Sequence, residues 1–144
     1  MSISARLKAG IETGSAEDAR SIAAEWAAGL PADATVALHG DMGSGKTTWV
    51  QGMATGFGIT SPVTSPTFTI YNVHPGKLRM LVHLDAYRLG GAAQAEDLLL
   101  EEFLVSPWCL AIEWPEKIPT WIAPDAWHLD LEVGADGRHQ VRLR

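Results

Sequence analysis

Residues 40 to 47 read Gly-Asp-Met-Gly-Ser-Gly-Lys-Thr, a match without a mismatch to G-x-x-x-x-G-K-[ST], the pattern of a loop that wraps phosphate groups. The octapeptide constrains the fold, because the loop works only between a strand that ends beneath it and a helix that starts over it. Thr35-Val-Ala-Leu-His39 has the composition of a short strand, and Thr47 to Phe57 that of a helix, so both flanks are in the required order. Gly40, Gly43 and Gly45 let the main chain turn its N–H groups inward at close range. On this reading Asp41, Met42, Gly43, Ser44, Gly45 and Lys46 surround the phosphates of ATP. Lys46 acts as a point charge on the β- and γ-phosphates, the Thr47 hydroxyl takes one position on Mg²⁺, and Thr48 continues the helix. A Gly/Ser-rich turn that matches by chance is the competing account, and the flanking strand and helix argue against it.

Length and charge narrow what such a loop can serve. At 144 residues the chain is expected to form a single domain over residues 1–144, with little room for a lid or a second substrate domain. No apolar run approaches the roughly 20 residues that cross a bilayer, and Met-Ser-Ile-Ser-Ala-Arg-Leu-Lys lacks a long apolar signal core, so a cytoplasmic protein without membrane partners is expected. The formal charge of −6 argues against strong autonomous nucleic-acid binding, which needs a basic surface to displace counterions. One cysteine, Cys109, excludes an internal disulfide and reads as a small buried residue in a strand. His39, His74, His83, His128 and His139 are scattered without zinc-ligand spacing.

The rest of the chain alternates helix and strand patterns. Ser15 to about Gly29 reads as a helix, with Ser15 and Asp18 spaced as a capping box and an apolar stripe of Ala19, Ile22, Ala23, Trp26 and Leu30. After the loop helix, Ile59 to Thr69 is rich in hydroxyls and stiffened by two prolines, which rules out a helix interior. Phe68 to Val73 and Leu78 to Asp85, joined at His74-Pro75-Gly76, read as an antiparallel hairpin. A helix is expected from Ala92 to Val105, then a strand over Trp108 to Ile112, and a final hairpin over 127–133 and 140–143. This order predicts a three-layered α/β domain of the phosphate-loop NTPase type, with a mostly parallel central sheet and antiparallel edge strands, and the ligand at the carboxyl end of the first core strand.

A phosphate loop needs a second acid for Mg²⁺ and a group to orient water. Asp85 follows Met80-Leu-Val-His-Leu84 and Glu113 follows Cys109-Leu-Ala-Ile112, each at the end of an apolar strand, and either fits. Position along the chain leaves open which acid holds the metal. His83 lies two residues before Asp85 on the same strand face, where its ring would orient that carboxylate, a packed structural histidine being the alternative. Thr67 stands where a switch threonine would sense the γ-phosphate.

Taken together, Gly40 to Thr48, Ser65-Pro-Thr-Phe-Thr69, His83-Leu-Asp-Ala-Tyr-Arg-Leu89 and Ile112-Glu-Trp-Pro-Glu116 resemble the bacterial TsaE (YjeE) family over roughly residues 13 to 116. The resemblance implies ATP binding, weak ATP hydrolysis and a place in threonylcarbamoyladenosine modification of tRNA, with TsaD and TsaB as partners. It also implies Thr47 and Glu113 as Mg²⁺ ligands, Asp85 as a catalytic acid near the γ-phosphate, Trp114 beside the nucleotide and Thr13 near the base. After Pro115 the pattern is weak, and assignments beyond Glu116 rest on the fold alone.

Two rivals are set aside on composition. A small-molecule kinase needs several arginines to clamp phosphates, and between Thr47 and Trp121 the chain has only Arg79 and Arg88. Guanine specificity in switch GTPases rests on N-K-x-D, whereas the only asparagine, Asn72, is followed by Val73.

Overall fold

The computed structural model describes residues 1–144. Its strands are β1 (Ile11–Thr13), β2 (Ala34–His39), β3 (Tyr71–His74), β4 (Met80–Asp85), β5 (Trp108–Glu113), β6 (Trp127–Val133) and β7 (His139–Leu143). They form one sheet in the order β1-β7-β6-β2-β5-β4-β3. The centre is parallel, with β2 between β5 and β6 and β5 beside β4, while β3 on β4, and β7 on β6 and β1, are antiparallel. The expected mixed architecture is therefore found.

Helices α1 (Ile3–Ala9), α2 (Ala16–Ala28) and α3 (Lys46–Gly56) lie on one face. Ser15 caps α2 by accepting the Asp18 amide at 3.1 Å, and Glu17 and Asp18 sit at the positive end of the helix dipole. Leu7, Trp26, Trp49, Met53, Phe57, Leu38, Leu81 and Leu129 make the larger core between these helices and the sheet. Trp26 packs against Trp49 and Trp127, each with ring centres 6.2 Å apart, so it serves packing.

The opposite face is covered over β2, β5, β4 and β3, by the segment from Ala86 to Ile122. There Val82, Leu84, Leu110 and Ile112 pack on Leu89, Ala95, Leu100 and Ile118. Three layers exist over that half. Over β6, β7 and β1 the second face stays polar and presents Asp130, Glu132, Gln140, Arg142 and Glu12.

Some boundaries differ from expectation. The helix expected over Ala92 to Val105 is α4 (Ala92–Asp97), followed by a 3-10 turn at Leu100–Phe103. Leu98, Leu99 and Leu100 are consecutive, and a continuous helix cannot turn all three inward. Leu99 adopts φ 53° and is 55% exposed, which brings Leu100 fully into the core. The first hairpin strand begins at Tyr71 and not at Phe68, because Phe68 and Thr69 belong to a turn and Ile70 has φ 71°. The second begins at Met80 and not at Leu78. The N-terminal helix and β1 carried no sequence signal, being seven and three residues long.

Candidate active site

The three central strands β2, β4 and β5 end together, and their successors converge. The loop after β2 has Gly43 at φ 83° and Gly45 at φ 98°, conformations that side-chain-bearing residues avoid, and α3 starts directly from Gly45. Lys46 is 5% exposed. Its ammonium donates to the Gly40 carbonyl and lies 3.7 Å from the centre of the Trp114 ring. Burial lowers the Lys46 pKa, against the opposing pull of Glu113, Glu116, Asp85 and Asp41. Trp114 reaches that position because it follows β5 in a left-handed conformation, φ 57°.

Parallel pairing of β4 with β5 sets Asp85 opposite Glu113. The two carboxylates have different partners. Thr47 Oγ1 donates to Glu113 Oε2 at 3.2 Å, across 66 positions of sequence. Asp85 Oδ2 accepts the Thr67 hydroxyl at 3.2 Å, Thr67 lies 2.7 Å from Ser65 Oγ, and Asp85 Oδ1 accepts the Tyr87 amide at 2.9 Å. The Asp85 amide in turn donates to the Ile70 carbonyl at 2.8 Å, so the Thr67 loop is tied to this acid by main chain and side chain alike. Ile70 is β-branched at positive φ, a conformation of high local cost.

The expectation that His83 orients Asp85 does not hold. His83 Nε2 is 2.6 Å from Glu113 Oε2, on the neighbouring strand. His83 pairs with Ala111, so Glu113 is its diagonal neighbour across the ladder, within reach of a long side chain.

A cleft of about 330 Å³ is lined by Met42, Gly43, Gly45, Lys46, Thr47, Thr48, Thr67, Asp85, Glu113 and Trp114, all given a site role from sequence, and by Ser65, Tyr87 and His139, which were given none. Thr13 and Ser44 lie in a smaller pocket next to it, with Gly45, Thr48 and His139 common to both. Asp41 is exposed and lines neither. Tyr87 packs against Trp114 with tilted rings, centres 5.0 Å apart, and belongs to the quoted stretch from His83 to Leu89. His139 accepted no sequence signal: it comes from β7, 95 positions from Ser44, whose carbonyl is 3.1 Å from its Nδ1.

The donors suit Mg²⁺, which takes few protein ligands and prefers hard oxygens beside phosphate. A hydroxyl and a carboxylate meet at the base of the loop, and Lys46 stands beside them.

Cys109 is fully buried, and burial pushes its thiol up to about 12. That fits the apolar strand residue expected. No helix is long and apolar enough to cross a membrane.

Comparison with known proteins places the chain. Residues 13–141 match the family described as Threonylcarbamoyl adenosine biosynthesis protein TsaE. A tRNA threonylcarbamoyladenosine biosynthesis protein TsaE of Streptomyces coelicolor is 45% identical over 118 residues, which is 78% of each chain. The protein of that name from Treponema pallidum is 34% identical over 114 residues, 79% of this chain and 84% of the relative. A crystal structure of Bacillus subtilis YdiB superposes with a TM-score of 0.77 at 29% identity, covering 93% of this chain and 82% of the other. The chain belongs to the TsaE family.

Proposed function

We propose that this protein binds ATP with Mg²⁺ and hydrolyses it, weakly on its own, as the nucleotide-driven component of tRNA threonylcarbamoyladenosine biosynthesis in the cytoplasm. The observation that carries the reading is the meeting of Lys46, Thr47, Asp85 and Glu113 at the ends of three adjacent strands. The loop amides and Lys46 hold the β- and γ-phosphates, while Thr47 and Glu113 hold the metal. Bound there, Mg²⁺ supplies charge neutralisation on the phosphate oxygens. Asp85 orients the attacking water or accepts its proton, and Thr67, bonded to it, links the state of the γ-phosphate to the loop from Ser65 to Ile70. Thr13, Thr48 and His139 line the smaller pocket beside the loop, and on this reading the base and sugar lie toward it.

Lys46 is the sole Lys or Arg lining the cleft, which argues against a kinase that must clamp a second substrate. The pathway and the TsaD–TsaB partnership come from family membership. The test is phosphate release from ATP with and without Mg²⁺. Lys46→Ala is expected to lower turnover by on the order of a hundredfold or more and to weaken nucleotide binding. Turnover equal to the wild type in that variant would overturn the assignment.

A further inference from the structure

His83 is wholly buried, and its two ring nitrogens differ. Nε2 lies 2.6 Å from Glu113 Oε2, whereas Nδ1 has no hydrogen-bond partner. The ring therefore carries its proton on Nε2 and donates it to the carboxylate. The same oxygen accepts the Thr47 hydroxyl, so Glu113 is held from two sides, by the loop helix and by the sheet. No other side chain bonds it. On this face of the sheet Leu81, Cys109 and Ala111 belong to the apolar core, while the polar neighbours Asn72, paired with His83 from β3, and Asp85 bond Thr69 and Thr67 and leave the ring to Glu113.

We propose that His83 is a positioning residue for the metal site. It touches neither metal nor nucleotide and acts through Glu113, keeping the carboxylate in the rotamer that faces Thr47. A glutamate at the bottom of a cleft has several accessible rotamers, and a donor behind it removes part of the ordering cost at the moment of metal binding. The inference rests on the Mg²⁺-nucleotide reading of the cleft.

The experiment compares wild type with His83→Gln, whose amide nitrogen reaches the place of Nε2, and His83→Asn, which is too short. Binding of a non-hydrolysable ATP analogue is followed by calorimetry across a Mg²⁺ titration and again in chelator, so the readout is independent of turnover. The Asn variant is expected to need about tenfold more Mg²⁺ for half-saturation, and the Gln variant to stay within about threefold of wild type. Affinity in chelator should be the same in all three. Should the Asn variant prove unfolded, His83→Leu replaces it with the same expectation. Equal Mg²⁺ midpoints, a Gln variant as weak as the Asn variant, or equal losses with and without metal would each overturn the proposal. A wild type whose nucleotide binding ignores Mg²⁺ would instead refute the reading of the cleft.

Discussion

Asp85 and Glu113 occupy equivalent places at the ends of paired strands but have different partners. Glu113 is bonded by Thr47 and His83, Asp85 by Thr67 and the Tyr87 amide. On the proposed function, removing Asp85 should act on the chemical step, and removing Glu113 on the metal. Asp85→Ala is expected to lower turnover by about a hundredfold or more while leaving ATP affinity near wild type. Glu113→Ala should shift the Mg²⁺ dependence, and superimposable Mg²⁺ curves for the two variants would count against the division. At this scale the octapeptide was legible because its spacing is local. Spacing left the division between the acids open and only the family resemblance implied one, because the partners that tell them apart, Thr67 and His83, reach each carboxylate from elsewhere in the fold. The misreading of His83 has the same origin: a period of two reveals the face of a strand but not the neighbour across the ladder.

Helix α3 presents the phosphate loop only as firmly as α2 supports it, and the two approach closely. A Cβ built on Gly52 would stand 2.7 Å from Ala23 Cβ, and one on Gly56 would stand 2.6 Å from the Ala24 carbonyl oxygen. Spaced four apart, these glycines make a groove on α3 for the backbone of α2, which outweighs their poor intrinsic helix propensity. Gly52→Ala should destabilise the fold by about 1–3 kcal/mol, read as a lower denaturant midpoint. A midpoint equal to or above wild type would show that the helices can separate without loss. Helix α2 itself was legible from its cap and stripe. The break between α4 and the turn at Leu100–Phe103 was not, because three adjacent leucines fit a helical window and only the available core decides which of them is buried.

Across the whole molecule, half-buried and buried histidines set a pH limit on stability. His39, on β2, and His128, on β6, are 2.8 Å apart through Nε2 and Nδ1, near Glu116, Asp130 and Arg144. Burial first, then Arg144, lowers both pKa values below the ordinary 6.5, and burial does the same to His74. The folded state thus binds fewer protons than the unfolded chain just below pH 6.5, and stability should fall as pH drops through that value toward the depressed ones. Urea midpoints measured between pH 8 and 5 should show this slope, and His128→Gln should flatten it. An unchanged slope would remove the pair from the account. The second expectation concerns assembly. On the proposed ATPase function, a cleft with Lys46 as its one basic side chain lacks the clamp for a second small substrate and its cycle acts on another protein, so binding to the TsaD–TsaB pair is expected to be tighter with an ATP analogue than with ADP or no nucleotide. By linkage the partner must tighten ATP binding equally. Calorimetry in the three states decides it, and equal affinities would reject a nucleotide-gated complex.

Sequence by itself determined the loop, its flanking strand and helix, the alternation that makes a mostly parallel sheet, and the two acids, because each is written in local spacing or in the period of an element. Tertiary structure alone decided what those residues do together. The strand order sets β5 between β2 and β4, which brings Glu113 to Thr47 and to His83 and carries His139 from the end of the chain to the phosphate loop. Such contacts join positions 30 to 95 residues apart, and they arise from strand pairing and core closure, which no window of sequence contains.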